Sequence, residues 1–487
     1  MYPTAKAQKF NKKGVCGAGA ELRRLEESMI HKYKLNGYNI VLDVCSGGVH
    51  LVDELTYDIL DNISPPFEKQ CPEWVIEKMS RFYDKEEIIS CYKEVVQLYE
   101  EQVLFSQDDY EKFASMSVSA PLKSMCILVS MDCNLRCEYC FASKGDYGLG
   151  RKVMAFETGR RALDFLIENS ADRVNLEVDF FGGEPLMNFD VVKKLVEYGR
   201  SREKECNKHF RFTVTTNGLL LNDDIMDFIN KEMSNVVLSV DGRREVNDRM
   251  RKTAAGGGSY DLFMDKFKKI VEKRDHENYY VRGTFTKHNL DFASDVLSLA
   301  EQGFDQISVE PVMCSPDEEY AITEKELPAI FSEYERLAQL ILVDRKQGRH
   351  YNFFHFMIDL DQGPCAIKRL RGCSSGNEYV AVTPDGDIYP CHQFVGYDEY
   401  KMGNIYEGTF DEKIKKEFSA ANIYTKDDCR DCWAKFYCSG GCNANNYIYN
   451  GDIHSPHKLS CELEKKRLEC AVMIKAAEAA EKMQDDF

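Results

Sequence analysis

From residue 29 the apolar positions of the chain fall into short runs punctuated by glycine and asparagine. Ile30–Leu35, Tyr38–Val44 and Val49–Leu51 read as strands, and Asn36-Gly37 and Ser46-Gly47-Gly48 between them are strong turn signals. The spacing then lengthens to a helical period over Glu54–Asn62, Glu73–Phe82 and part of Lys85–Phe105. Three small strands and three helices predict a winged-helix-like module over residues 29–110. Its role is either structural packing or, through an exposed edge strand, capture of an extended peptide by strand addition.

Between 111 and 320 the pattern alternates. Apolar runs at Cys126–Ser130, Asn175–Phe181, Phe212–Thr215, Val236–Val240, Tyr280–Thr286 and Ile307–Glu310 predict strands, and amphipathic segments such as Thr158–Asn169, Asp190–Glu203 and Leu262–Val271 predict helices between them. Such alternation implies parallel strands joined by right-handed crossovers. Six units predict an α/β fold, a partial (β/α)6 TIM-like barrel open on one side. Residues 321–364 predict a connecting helix over Thr323–Lys346, with Thr323 and Glu326 at capping-box spacing. From 365 to 487 periodicity weakens and cysteine density rises, so metal is expected to hold that part together in place of an apolar core. A charged helix is predicted over Glu462–Met483. Residues 1–28 show no period and read as a disordered extension, or as a substrate mimic around Cys16-Gly-Ala-Gly-Ala20.

Composition narrows the function. A chain of 487 residues is too long for one core. A net charge of −18 argues against a nucleic-acid partner. No apolar run is long enough to span a membrane, and residues 1–28 lack the apolar segment of a signal peptide. The chain is therefore expected to be cytoplasmic. Its 19 cysteines then point to reduced thiols and metal in an oxygen-poor cell, not to disulfides.

The most informative of these cysteines are Cys133, Cys137 and Cys140, in a C-x3-C-x2-C loop that follows the first barrel strand. Three thiolates can hold three irons of a [4Fe–4S] cube and leave the fourth open to a small molecule; a zinc loop or three buried thiols is the plainer reading. The C-terminal ends of barrel strands are where α/β barrels keep their active sites. After the second strand comes Gly182-Gly-Glu-Pro185. The glycines allow close approach of the backbone, Glu184 offers a carboxylate to a cationic amine, and Pro185 stops the strand; alone, this would also suit a plain turn. At the same rim, Ser239 and Asp241 of Ser239-Val-Asp-Gly242 would contact a carboxylate or ribose. Arg282 would meet a carboxylate or form a structural salt bridge.

The tail holds a second constellation. Cys373 and Cys391 are followed by Cys429-x2-Cys432-x5-Cys438-x3-Cys442 and by Cys461, with Cys365 just upstream. Eight thiols suffice for two four-ligand clusters; zinc also suits four closely spaced cysteines.

Cys133-x3-Cys137-x-Tyr139-Cys140, together with Gly182-Gly-Glu-Pro185, resembles the radical S-adenosylmethionine (SAM) superfamily, and the tail cysteines are similar to the SPASM domain. The text His31-Lys-Tyr-Lys-Leu-Asn-Gly-Tyr-Asn-Ile-Val-Leu-Asp43 and Tyr389-Pro-Cys-His-Gln-Phe394 resembles maturases of six-cysteine (SCIFF, ranthipeptide) peptides, from about Met29 to Cys470. The resemblance implies three [4Fe–4S] clusters and SAM as cofactors. Cys133, Cys137 and Cys140 would hold the reactive cluster, with Tyr139 near the adenine. Cys373, Cys391 and Cys442 would hold auxiliary cluster I, where Cys365 is either a fourth ligand or leaves an iron open to a substrate thiolate. Cys429, Cys432, Cys438 and Cys461 would hold auxiliary cluster II. The implied reaction is hydrogen abstraction from a peptide carbon by a 5'-deoxyadenosyl radical, then joining of a cysteine sulfur to that carbon. Implied partners are a Cys-rich precursor peptide bound through its leader at residues 29–110, and a low-potential donor such as flavodoxin or ferredoxin. No catalytic base is assigned; His392 would be a base or a packing residue. A sulfatase-type maturase forming formylglycine is the alternative enzyme, although that family places Asp where this chain has His392 and lacks the peptide-capture module. A non-catalytic electron carrier or peptide-binding scaffold is the alternative outside catalysis.

Overall fold

A computed structural model of the chain describes residues 29–114, 120–360 and 369–485. The proposed extension 1–28 and Cys365 lie outside the described residues. Residues 29–112, with Leu360, form one compact unit; residues 113–114, 120–359 and 369–485 form another.

The first unit carries three antiparallel strands, β1 (Ile30–Leu35), β2 (Tyr38–Asp43) and β3 (Val49–Leu51), in that order. The β1–β2 hairpin turns through Asn36-Gly37, which pairs Leu35 with Tyr38. Asp43, fully buried, organises the next turn: its carboxylate accepts from Ser46 N at 2.8 Å, Ser46 Oγ at 2.7 Å and Ser106 N at 2.9 Å. Helices Glu54–Ile59, Glu73–Met79 and Lys85–Glu100 supply the core, in which Ile59, Val75, Ile88, Tyr92 and Val95 pack around Val41. β3 pairs with β2 alone among the described residues, so its other edge remains open.

The second unit is built on one open sheet. Its centre is six parallel strands in the spatial order β10-β9-β8-β7-β6-β4: β4 (Ser124–Met131), β6 (Asn175–Gly182), β7 (His209–Thr216), β8 (Asn235–Ser239), β9 (Tyr279–Phe285) and β10 (Gln306–Pro311). These are the six expected strands: four are slightly extended, because main-chain pairing runs past the apolar positions that signal it, and β8 and β9 start and end one residue earlier than expected. The two-residue β5 (Lys152–Val153) pairs antiparallel with β4, and β11 (Asn352–Phe353) adds beside β10. The core is apolar and aromatic: Ile127, Leu128 and Val129 on β4 are fully buried, and Phe180, Phe212 and Phe210 stack at 5.6 and 5.5 Å.

The cysteine-rich part does not stand apart from this sheet. β12 (Tyr379–Val382) runs parallel to β4, pairing Tyr379 with Ser124 and Val382 with Ile127, and β13 (Asp387–Tyr389), β14 (Gly403–Asn404) and β15 (Thr409–Phe410) continue the sheet antiparallel. β4 is apolar on both faces, and a strand of that kind needs a partner on each edge. Val380-Ala-Val supplies one. The sheet ends at β11 on one side and β15 on the other, with no closed barrel among the described residues. The capping box of Thr323 and Glu326 forms, but it closes a short 3-10 turn over Glu324–Glu326; the helix proper starts at Leu327 and runs to Lys346. That helix packs on Lys458–Asp485, where Arg467 Nε donates to Tyr334 Oη at 2.9 Å. Among the described residues no helix is long and apolar enough to cross a membrane.

Candidate functional site

The C-terminal ends of β4 and β6 to β10 surround a cavity of about 280 Å³. Cys133, Cys137 and Cys140 line it, on the loop that leaves β4. The next strand holds that loop in place. A side chain added at Gly182 would sit 2.1 Å from the Ser130 carbonyl oxygen, and one at Gly183 would sit 2.3 Å from that of Asp132. Gly182 also has φ +130°, a conformation other residues rarely adopt. Glycine is thus required at both positions for β6 to press against the start of the cysteine loop. From the other side, Arg136 N donates to the Lys252 carbonyl at 2.7 Å and Glu138 N to the Met250 carbonyl at 2.9 Å.

Burial sets the charge state of the groups around the cavity. It pushes the Cys133 thiol up to about 12 and the Cys137 thiol up to about 11. Such thiols become thiolates at neutral pH only against a bound cation. Glu184 is 1 % exposed, and burial raises its carboxyl to about 7 even though it accepts from Thr216 Oγ1 at 2.8 Å, Asn217 N at 2.8 Å and Leu186 N at 3.0 Å. A cationic group arriving beside it would favour the ionised form.

The other expected contacts divide. Tyr139, Gly182, Gly183, Glu184, Ser239 and Arg282 line the cavity; Pro185 and Asp241 do not. Asp241 is fully buried and faces Tyr139 instead: the Tyr139 hydroxyl donates to its carboxylate at 2.7 Å, and the Thr284 N–H donates to it at 3.1 Å. Arg251 completes the group, donating to Tyr139 Oη at 2.9 Å and lying 3.7 Å from Asp241. Both open alternatives for Arg282 have a place here, since it lines the cavity while its Nη2 contacts both Glu310 oxygens at 3.0 Å. Burial opposes ionisation of Glu310, but the Arg282 guanidinium, together with His355 and Arg467, holds the carboxyl down at about 2.

The sequence reading missed Arg251, Thr216 and Asn217. Asn217 Nδ2 lies 3.6 Å from Cys133 Sγ and 2.8 Å from Asn134 Oδ1. Thr215-Thr-Asn-Gly218 at the end of a strand carries the same signal as Gly182-Gly-Glu-Pro185, a polar and glycine stop after an apolar run. Nothing local marks Arg251, which follows a short helix, Arg244–Met250.

The tail thiols gather in two sets. Cys429, Cys432, Cys438 and Cys461 line one cavity of about 720 Å³. Burial pushes the Cys429 thiol up to about 12 and Cys461 up to about 11. Cys373, Cys391 and Cys442 lie within electrostatic reach of one another. Cys391 follows β13, and because β12 pairs with β4 the sheet carries it toward the first cavity. There His392 packs on Phe181, ring centres 4.9 Å apart, and on Phe141 at 5.5 Å. Burial drives its imidazole down to about 4, so it is neutral at physiological pH. Among the described residues no three His, Cys, Asp or Glu side chains form a site for a single metal ion.

Residues 124–262 match the 4Fe-4S single cluster domain family, and residues 373–433 match SPASM, an iron-sulfur cluster-binding domain. The chain is similar to the cysteine-type anaerobic sulfatase-maturating enzyme of Clostridium novyi, 27% identical over 66% of this chain and 89% of that protein. It is also similar to the radical SAM cyclopropyl synthase TigE of Paramaledivibacter caminithermalis, 22% identical over 80% of each chain.

The chain is a radical SAM enzyme with a SPASM domain.

Its fold agrees with the solved structure of native anSMEcpe with bound AdoMet and Kp18Cys peptide, at TM-score 0.62 and 20% identity, covering 74% of this chain and 100% of that one. A radical SAM enzyme of this class uses a [4Fe–4S] cluster, auxiliary clusters in its SPASM domain, and SAM. The donors of this chain fit that demand: soft thiols in sets of three and four, with Cys391 and Cys429 buried, and a carboxylate lining the same cavity as the first set.

Proposed function

We propose that this radical SAM enzyme is a peptide maturase that installs cysteine thioether crosslinks in a ribosomally made, Cys-rich precursor, as the SCIFF-peptide maturases it resembles do. The observation that carries the reading is the compact unit of residues 29–112, with its open β3 edge, in the same chain as the cavity beside Cys133, Cys137 and Cys140. An open strand edge suits a leader peptide that adds as a fourth strand.

In this reading Cys133, Cys137 and Cys140 would hold the reactive cluster. Cys373, Cys391 and Cys442 would hold auxiliary cluster I, with Cys365 either the fourth ligand or a bystander beside an open iron. Cys429, Cys432, Cys438 and Cys461 would hold auxiliary cluster II. When bound, the reactive cluster and SAM supply a radical able to take hydrogen from an unactivated carbon. The residues do the placing. Glu184 would grip the amino group of SAM, Gly182 and Gly183 would admit its backbone-side atoms, and Ser239 and Arg282 would meet its polar edge. Tyr139, fixed by Asp241 and Arg251, would pack against the adenine. Phe141, Phe181 and neutral His392 would exclude water where the substrate carbon waits. The electron would come from a low-potential flavodoxin or ferredoxin in an oxygen-poor cytoplasm.

The test is mass spectrometry of a Cys-rich precursor treated anaerobically with reconstituted enzyme, SAM and reductant. Loss of two hydrogens per event, with sulfur retained, is expected. Loss of sulfur at a cysteine would favour formylglycine formation instead, the activity that the name of the Clostridium novyi relative suggests. Without 5'-deoxyadenosine production, every radical reading falls. Deleting residues 29–112 should weaken precursor binding and spare uncoupled SAM cleavage.

A further inference from the structure

Lys426 is 1 % exposed in the cysteine-rich region. Its carbonyl accepts from Cys429 N at 2.9 Å. Its Nζ donates to the Gly440 carbonyl at 2.8 Å and to Asn443 Oδ1 at 3.0 Å. Both acceptors belong to the stretch that leads from one thiol set to the other. Cys438 is in the four-thiol set, Cys442 is in the three-thiol set, and Gly440 is midway between them. That turn runs through φ +60°, +87° and +72° at Ser439, Gly440 and Gly441, which points the Gly440 carbonyl at the amine. Asn443 is anchored in turn by its Nδ2, 3.3 Å from Ser375 Oγ, two residues after Cys373. Burial pushes the amine's pKa down, and it is within electrostatic reach of Cys429 and Cys438 of the four-thiol set and of Cys373 and Cys442 of the three-thiol set, which oppose that shift.

A buried ammonium whose hydrogen-bond acceptors are both neutral is costly unless anionic charge lies close by. Thiolate-bound clusters would provide it on two sides. We propose that Lys426 is the shared counter-ion of the two auxiliary cluster sites. The proposal rests on the reading that the two thiol sets each hold a [4Fe–4S] cluster. A fixed cation stabilises the more negative, reduced state of a nearby cluster and so raises its reduction potential. Because one amine serves both sites, the two potentials are tied to one residue.

The experiment is a redox titration followed by electron paramagnetic resonance, on full-length reconstituted protein in which Cys133, Cys137 and Cys140 are Ala, so that only the tail signals remain. Lys426→Met and Lys426→Gln should move both midpoint potentials downward, and Lys426→Arg should return both toward the parent value. Unchanged potentials, or a shift at one site only, would overturn the shared role. Should the neutral variants fail to assemble clusters, loss of both sites with both restored by Lys426→Arg supports it, and loss of one alone overturns it. A failure of the underlying reading looks different: this parent would then carry far fewer than the roughly eight irons of two cubes before Lys426 is touched.

Discussion

The two thiol-bearing regions are built in opposite ways. Cys133, Cys137 and Cys140 stand on one loop, braced by Gly182 and Gly183 on one side and by the carbonyls of Met250 and Lys252 on the other, above a sheet whose strand β4 is almost wholly buried and apolar. The tail thiols come from positions spread between 373 and 461 and ride on helices as short as Asp427–Arg430 and Lys435–Cys438. Buried among them are polar side chains, Lys426, Ser439, Asn443 and Asn446, beside apolar ones such as Ile423, Phe436 and Ile453. The first is a site placed on a core that exists without it. In the second, contrary to the expectation that metal replaces an apolar core, Phe394, Tyr400 and Phe418 pack together, and the thiols are spread around that small core. Binding energy at such sites is folding energy.

Removing the metal should separate the two regions most sharply. Chelation of the reconstituted protein is expected to abolish hydrogen-exchange protection over about residues 425–461 and to leave β6 to β9 protected, since structural metal supplies on the order of 10 kcal/mol to small metal-held folds. Equal loss in both regions would erase the contrast.

Next in size is replacement of Cys133, Cys137 and Cys140 by Ala. SAM cleavage should cease, the iron content should fall by about four of about twelve atoms, and the thermal midpoint should barely move, because the sheet does not depend on these thiols. Retained cleavage, read as 5'-deoxyadenosine by chromatography, would refute the assignment.

Glu184→Gln keeps the shape and removes the charge. SAM affinity, measured by calorimetry, should fall about tenfold to a hundredfold, as expected for loss of a hydrogen bond to a charged group worth about 1.5–3 kcal/mol. The pH dependence has a definite sign. The folded carboxyl titrates near 7, above its unfolded value, so the free protein loses stability as pH rises from the unfolded pKa toward 7. A bound cationic amine pulls the other way, so SAM affinity should rise as pH increases through about 7, and the Gln variant should be flat there.

The smallest effect is expected from Asn217→Ala, which removes an amide 3.6 Å from Cys133 Sγ. It should lower the reactive-cluster potential slightly, leave the tail potentials unchanged and cost about 1 kcal/mol in stability. A shift at the tail clusters would show that the two regions are less independent than their construction implies.

The cysteine spacing, the Gly182-Gly-Glu-Pro185 stop and the six apolar runs were legible because each is a local pattern with a local cause: a loop that must hold metal, a strand end that must approach another backbone, a strand that must be buried. Arg251, Thr216 and Asn217 were not, since they join the site through the packing of different strand ends. Asp241 was legible as a rim carboxylate, but its direction was not; a 2.7 Å bond to Tyr139 turns it away from the cavity. Arg282 had two plausible partners on paper, and the adjacent strand supplied Glu310 as one of them.

The sequence by itself determined the kinds of atoms this protein offers to metal and the period of its six central strands. The tertiary structure decided which thiols meet, that β12 joins the edge of β4 and carries Cys391 toward the first cavity, and that Lys426 is buried against the stretch joining Cys438 to Cys442. The division has a physical reason. Ligand chemistry and backbone period are properties of short stretches, whereas convergence depends on which distant strands share hydrogen bonds, and pairing of that kind leaves no mark on either strand alone.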